Sequence, residues 1–461
     1  MIESAASYFR LRERNTSVGT EVRAGLTTFM VMAYIIFLNP SILVSGLGAG
    51  MGDADKLALT VALSAGTALT AGVMTILMGV VANYPVALAA GLGINGIVAF
   101  TLVLGKGLSP AGAMGVIVIE GLIITALVVV GFREAIMTAV PIALKRAIGA
   151  GIGLFILFIG FTNGGLVVKG TGTPVTIAFP ATAPQFVFLG GLFLTIALWV
   201  LRIRTALILS IVATTAIAFA AGVTSLPAHL ALTPSFSTLG HFDVTEVFRR
   251  MGVTAALLTI FAIMLTDFFD TIGTVTAIAS ATGLAAADGS VPGIRRVLLI
   301  DSLAAVAGGA AGVSSNTSYS ESAAGVAAGG RTGLTSIVTG VLFLLAVFLA
   351  PIAGIIPAQA TAPTLVLVGY LMFTLVKDID IADQEDGIPA LLTMILMPLT
   401  YDITVGIGAG FITWVLIKAV RRKWAAVSPL MWLVSIAFVV YFLGQYIETL
   451  IASPITLQTL R

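Results

Sequence analysis

The chain alternates long apolar stretches with short clusters of charge. Ala24–Val44, Leu57–Gly105, Ala147–Val168, Gly170–Leu201, Thr332–Val376 and Trp424–Ile447 carry no Asp, Glu, Lys or Arg. Each is longer than the ~20 residues a helix needs to cross a hydrocarbon core. The pattern predicts an all-α polytopic membrane protein. Regular spans are expected near Ala24–Val44, Leu57–Ala82, Ser109–Gly131, Ala147–Val167, Phe186–Leu201 and Ala206–Gly222. A long one begins at about Met251, and others follow near Val297–Gly312, Thr332–Ile355, Thr364–Val376, Ile388–Thr400 and Ile403–Ala419. Asn39-Pro40, near its outer end, should kink or loosen the first span. Two further segments are irregular, which brings the expectation to fourteen transmembrane segments. Pro429–Ile447 is a fifteenth span or a peripheral helix.

The irregular segments break in the same way. In Asn83–Lys106, Pro85 and the glycines of Gly91-Leu92-Gly93-Ile94-Asn95-Gly96 favour an extended piece followed by a half-helix. The string spells GxGxxG, yet it has no βαβ context and no acid about 20 residues on, so it is not a dinucleotide fingerprint. Asn95 reads equally as an interhelical hydrogen bond or a ligand contact. In the second segment, polar and β-compatible Ser314–Ser322 leads into small, helical Ala323–Gly330. Each ends on a basic residue, Lys106 and Arg331, about half the chain apart, with an odd number of spans between them. That makes the halves inverted repeats. Paired broken segments at matching positions point to a transporter's midplane site. Half-helix starts near Gly91 and Ser320-Glu321 would meet there and favour electron-rich ligand atoms. Asn95 and Glu321 are then expected on opposite sides of one pocket.

Charge is scarce and so informative: 10% of the 461 residues are charged and 58% hydrophobic, with mean hydropathy +1.11. Soluble domains carry about 25% charge. Asp267 and Asp270 stand three residues apart between uncharged stretches, hence on one helix face. A charge at bilayer depth costs at least ~2.5–3.5 kcal/mol, so such residues usually face a cavity. The plainer alternative is a pair that only holds helices together. Glu120 and Asp301 are the other acids within spans, and Glu120 reads as structural in preference to a proton carrier. Arg10, Arg12, Arg14, Arg23, Arg133, Lys145, Arg146, Arg202, Arg204, Arg295, Arg296, Arg421, Arg422 and Lys423 all fall on one side. The positive-inside rule makes that side cytoplasmic, with the N-terminus inside, and Arg249 and Arg250 as exceptions. His229 and His241 lie in an outer loop and read as solvated. Lys377–Asp386, rich in acids, reads as a solvated cytoplasmic face. The chain has no cysteine, no cleavable signal segment is evident, and nothing suggests nucleic-acid binding.

At Gly91–Gly96, Thr266–Thr274 and Ser314–Glu321 the sequence resembles the nucleobase–ascorbate transporter superfamily, in its adenine/guanine/hypoxanthine permease branch. The resemblance covers nearly the whole chain and implies two inverted seven-span repeats, with short strands in broken segments three and ten. It implies a core domain (24–131 and 251–356) and a gate domain (132–222 and 357–420). Around these lie an N-terminal segment (1–23), an outer loop (223–250) and a C-terminal segment with an apolar helix (421–461). Carried over by motif, Asp267 is the acidic substrate contact and Asp270 lies one turn on. Glu321 is the second carboxylate, Tyr319 and Ser320 supply backbone contacts, and Asn95 is the purine-branch asparagine. Gly91, Gly93 and Thr271 support the site, Thr271 standing where the uracil branch has a histidine.

The chemistry is consistent with that assignment. A purine presents N–H donors and ring-nitrogen acceptors along one edge; carboxylates take the donors, and an amide serves both. With no membrane histidine, a coupling proton would be carried by Asp267, Asp270 or Glu321. The expectation is a multi-pass plasma (inner) membrane symporter of purine nucleobases and protons, with no cofactor, no metal and no enzymatic activity. Its partners are the base, the proton and the lipid bilayer, and a homodimer is left open. Phe268 and Phe269 could stack on a base or simply pack. The alternatives are an anion exchanger of the same architecture, which should present basic or neutral groups, and an intramembrane aspartyl protease. Tyr401-Asp402 supplies half of the protease signature, without its Gly-x-Gly-Asp partner.

Overall fold

Helices occupy the apolar runs because a spanning segment must satisfy its own backbone, and a helix does so internally. The computed structural model describes residues 7–131, 140–225, 233–284 and 291–452, with side chains to Gly444. Arg133, Pro227 and His229 lie outside the described residues. In chain order the helices are α1 (Val18–Met32), α2 (Ile35–Leu47) and α3 (Asp53–Leu77); α4 (Leu92–Gly96), which continues as π-helix Ile97–Gly105; and α5 (Pro110–Val130), α6 (Ile142–Asn163), α7 (Ala183–Val200) and α8 (Ala206–Ala220). The second half has α9 (Val244–Thr282), α10 (Ile294–Ala310), α11 (Ser322–Ala327), α12 (Gly333–Ala346), α13 (Ala350–Ala353), α14 (Ala358–Phe373), α15 (Gln384–Thr400), α16 (Ile403–Val420) and α17 (Pro429–Ala452). Among the described residues, nine helices are long and apolar enough to cross a membrane.

Both irregular segments contain a strand. β1 (Leu88–Ala90) pairs antiparallel with the strand Asn316–Ser318, in the register Leu88↔Ser318, Ala89↔Thr317, Ala90↔Asn316. All six residues are buried. Tyr319 N donates to Ala87 O at 2.9 Å and Gly91 N to Ser315 O at 2.8 Å, extending the ladder at both ends. Side chains close what the two short strands leave open. Thr75 Oγ1 accepts from Leu88 N at 2.9 Å, and Ser322 Oγ accepts from Ala87 N at 3.0 Å. Non-helical backbone at this depth survives only when buried and paired in this way.

The helices form two packed groups. α1, α2, α3 and α5 pack with α9, α10 and α12; α6, α7 and α8 pack with α14, α15 and α16. Small residues set the close crossings, as is usual without a hydrophobic drive between helices. A Cβ on Gly72 would come within 2.9 Å of Gly340 O, and one on Gly153 within 2.7 Å of Gly369 O.

Inverted symmetry also shows in two carboxylates. Glu21, at the start of α1, accepts from Arg331 N, from Thr332 N and Oγ1, and from Thr335 N and Oγ1, thereby capping α12. Glu246, at the start of α9, accepts from Ser109 N at 2.9 Å and from Ser109 Oγ, capping α5. The interval from Glu21 to Glu246 equals that from Lys106 to Arg331. Each repeat therefore caps a helix of its own symmetry mate within one packed group.

Several local expectations change. The first span breaks at Ala33-Tyr34 instead of at Asn39-Pro40, and α2 runs straight through Pro40. Pro40 has no N–H for the carbonyl of Ile36, which lies inside α2 and after the break, and the helix tolerates it there. Lys377–Asp386 is not wholly solvated: Glu385 is buried among Lys418, Arg421 and Lys423. Arg249 and Arg250, the charge exceptions, pair with Asp243 and Glu246. The fifth span, α6, stops at Asn163 before Gly164-Gly165, and β2 (Val167–Val168) pairs with β3 (Thr176–Ile177) beyond it. With these, Asn316–Ser318 becomes β4.

Candidate functional site

The strand pair turns both broken segments back into helix at one depth, and a cavity of about 420 Å³ opens there. That is within the usual ~300–1,000 Å³ of small-molecule sites. One wall comes from the first helix group: Gly91, Gly93 and Ile94 at the start of α4, Ser320 and Glu321 ahead of α11, and α9 from Thr266 to Ala277. The facing wall is α6, with Lys145, Ile148, Gly149 and Ile152, and α14, with Val368, Leu371 and Met372. A recess of about 90 Å³ shares Gly91, Gly93, Asp270, Ser320 and Glu321 and adds Tyr34 and Tyr319.

Three carboxylates reach this space, each held differently. Asp267 is only 1% exposed. Its Oδ2 accepts from Ser315 Oγ at 3.0 Å, while Oδ1 makes no hydrogen bond among the described residues. Asp270, one turn on, is exposed to the cavity. Glu321 accepts from Tyr34 Oη at 2.6 Å and from Ser320 Oγ at 3.1 Å. Glu321 stands at the N-cap of the six-residue α11 without a side-chain cap bond, and Tyr34 and Ser320 hold its carboxylate.

Not every expected site residue faces the cavity. Asn95 is fully buried behind Gly93 and Ile94; it lines neither space, and neither amide atom has a hydrogen bond among the described residues. Its predicted place opposite Glu321 in one pocket is therefore wrong. The turn of helix begun at Gly91 presents Gly93 and Ile94, and carries the next residue round to the far face. Tyr319 takes part through its side chain. Its N–H is used by Ala87 O, its C=O accepts from Ser322 N, and its Oη donates to Ala90 O at 2.5 Å. Thr271 is buried and donates to Asp301 Oδ2 at 2.7 Å, so it props the site without lining it. Phe269 lines the cavity; Phe268 is buried edge-on to it at 5.6 Å. Gly91 and Gly93 are needed small: a Cβ on Gly93 would come within 2.7 Å of Ile152 Cγ2.

Three residues that matter here were not expected at the site. Lys145 faces the cavity, its Nζ 4.8 Å from the Phe269 ring centroid; its place in a basic cluster concealed this. Tyr34 sits at the break of the first span, where only an apolar helix was expected. Asp301 accepts from Ser318 N at 2.9 Å and Oγ at 2.7 Å and from Thr271, and so anchors β4. An acid inside an apolar run was its only signal. Asp402 pairs with Lys106 at 3.0 Å and caps α16 by accepting from Thr404 N, and among the described residues no second aspartate partners it. His241 is exposed in its loop, as expected.

Comparison with known proteins agrees with this architecture. The permease-family profile (Xan_ur_permease) matches residues 19–409. The chain is 38% identical over 442 residues to the guanine/hypoxanthine permease PbuG of Bacillus subtilis (strain 168), covering 95% of this chain and 99% of that one. It is 36% identical over 432 residues to the adenine permease AdeP of Escherichia coli (strain K12), covering 94% of each. In fold it is similar to the transmembrane domain of the cyanobacterial bicarbonate transporter BicA, with TM-score 0.56 and 15% identity over 85% of this chain and 96% of that one. The chain thus belongs to the permease family of nucleobase–ascorbate transporters, multi-pass membrane transporters and not enzymes.

Proposed function

We propose that the protein imports purine nucleobases by proton symport across the plasma membrane, with its N-terminus in the cytoplasm. The observation that carries this reading is one cavity between two helix groups, where Asp267, Asp270 and Glu321 converge beside glycines of the opposite broken segment. A flat base fits against Gly91 and Gly93. Its N–H groups donate to the carboxylates, and Phe269 offers a face. The guanine/hypoxanthine and adenine permeases among the relatives support a purine as the class of ligand. Three carboxylates argue against an anion exchanger, since an anion would meet like charge.

Symport follows from the cost of leaving carboxylates charged away from water. A proton taken up by Asp267, Asp270 or Glu321 neutralises the site and lets the loaded group containing α9 and α11 move against α6 and α14. The test is uptake of labelled purines into proteoliposomes with and without a proton gradient. Asp267→Asn should abolish uptake while leaving membrane insertion intact. Normal uptake by that variant, or sodium-driven uptake insensitive to a protonophore, would overturn the reading.

A further inference from the structure

Behind the cavity wall lies a carboxylate that the site does not use. Glu120, in the middle of α5, is fully buried; among the described residues no donor group reaches its oxygens, and its side chain lies within hydrogen-bond reach of the Asp267 carboxyl. Its charged neighbours are Asp267 on α9 and Asp301 on α10. The π-helical stretch Ile97–Gly105, also packed on α5, contributes no ionisable residue. Arg295 reaches α5 only at its far end, through Val129 O, and Glu246 only at Ser109. No cation faces Glu120 among the described residues.

The two neighbours differ in a way that assigns roles. Asp301 is surrounded by the donors Ser318 N, Ser318 Oγ and Thr271 Oγ1; this suits a fixed anion, because donors stabilise the charged form. Glu120 has no donor and no counter-charge among the described residues, so its carboxyl holds a proton at rest and gives it up only when the negative charge beside it on Asp267 is removed in the same exchange. Among the described residues, the other oxygen of this cluster without a donor is Asp267 Oδ1, on the residue that also lines the cavity.

We propose that Glu120 is a proton-binding residue of the transport cycle, exchanging its proton with Asp267 from the side away from the substrate. The inference rests on the proton-symport reading above. In the step, the O–H bond of Glu120 breaks and an O–H bond forms at Asp267 Oδ1. One negative charge thereby moves from Asp267 to Glu120, and no other reactant is needed. The exchange would let Asp267 lose its charge when a base arrives without a proton having to pass the base itself.

The test compares wild type, Glu120→Gln and Glu120→Asp in proteoliposomes with labelled hypoxanthine. Two readouts are used: accumulation driven by a pH gradient, and purine exchange at equal pH on both sides. One coupled proton supplies about tenfold accumulation per pH unit. The expectation is that Glu120→Gln still exchanges purine, accumulates it no more than about onefold, and shows a flat pH profile. Glu120→Asp should restore part of the accumulation with a displaced pH profile. Wild-type accumulation and pH profile in Glu120→Gln would overturn the proposal. Equal loss of exchange and accumulation in both folded variants would also overturn it, leaving a packing role. If wild type exchanges no purine, the underlying functional reading fails; if it exchanges purine but ignores the gradient, only the proton assignment fails.

Discussion

Tyr34→Phe isolates one contact in the cavity. Tyr34 is buried, and its hydroxyl donates to Glu321 Oε1 at 2.6 Å. The substitution keeps the ring and its packing and removes one donor from a carboxylate proposed to meet the base. A hydrogen bond to a charged group is worth about 1.5–3 kcal/mol. Ser320 Oγ still holds Oε2, and the recess can admit water, so the lower end applies. About 1.5 kcal/mol is roughly a tenfold weaker purine affinity. Equilibrium binding to purified protein should show that change in Kd, with the folded fraction and thermal midpoint close to wild type. An unchanged Kd in a folded variant would refute the claim that Tyr34 orients Glu321 for substrate. A loss of folded protein with unchanged affinity would make Tyr34 a packing residue alone.

Other consequences can be measured on the same preparation. Gly93→Ala places a Cβ within 2.7 Å of Ile152 Cγ2; overpacking of this kind costs about 1–3 kcal/mol, so transport should slow more than binding weakens, and a wild-type rate would contradict a tight seam there. Glu21→Gln puts an amide donor among the backbone and hydroxyl donors around α12, and denaturation should show a loss of about 1–3 kcal/mol. Glu385, ahead of the apolar part of α15, is held down to about 2 by Lys418 first, then Lys423 and Arg421. Its folded value is depressed, so its stabilising contribution is present above about 4.5 and lost as pH falls towards about 2. Glu385→Gln should be less stable at neutral pH and lack that acid-dependent step in a pH-melting series.

How much of this was legible in the sequence depends on the range of the interaction. Helices follow from uncharged runs because each satisfies its backbone locally. The broken segments were equally readable, since Pro85, the clustered glycines and the serine-rich stretch before Glu321 all disfavour continuous helix. Asp267, Asp270 and Glu321 could be singled out because charge is so costly in apolar surroundings. Facing directions were not legible. Asn95 and Gly93 are two residues apart, and the pitch of one helical turn sends Gly93 to the cavity and Asn95 behind it. Lys145, Tyr34 and Asp301 gain their places only when remote segments meet: Lys145 from the opposite helix group, Tyr34 at a backbone break, Asp301 beneath a strand. The same holds for Glu21 and Glu246, whose donors lie on helices remote in sequence. The sequence alone determined which segments form apolar helix and which break; tertiary structure decided what each buried polar group meets, because hydrogen bonds and ion pairs depend on ångström-scale placement that no local pattern encodes.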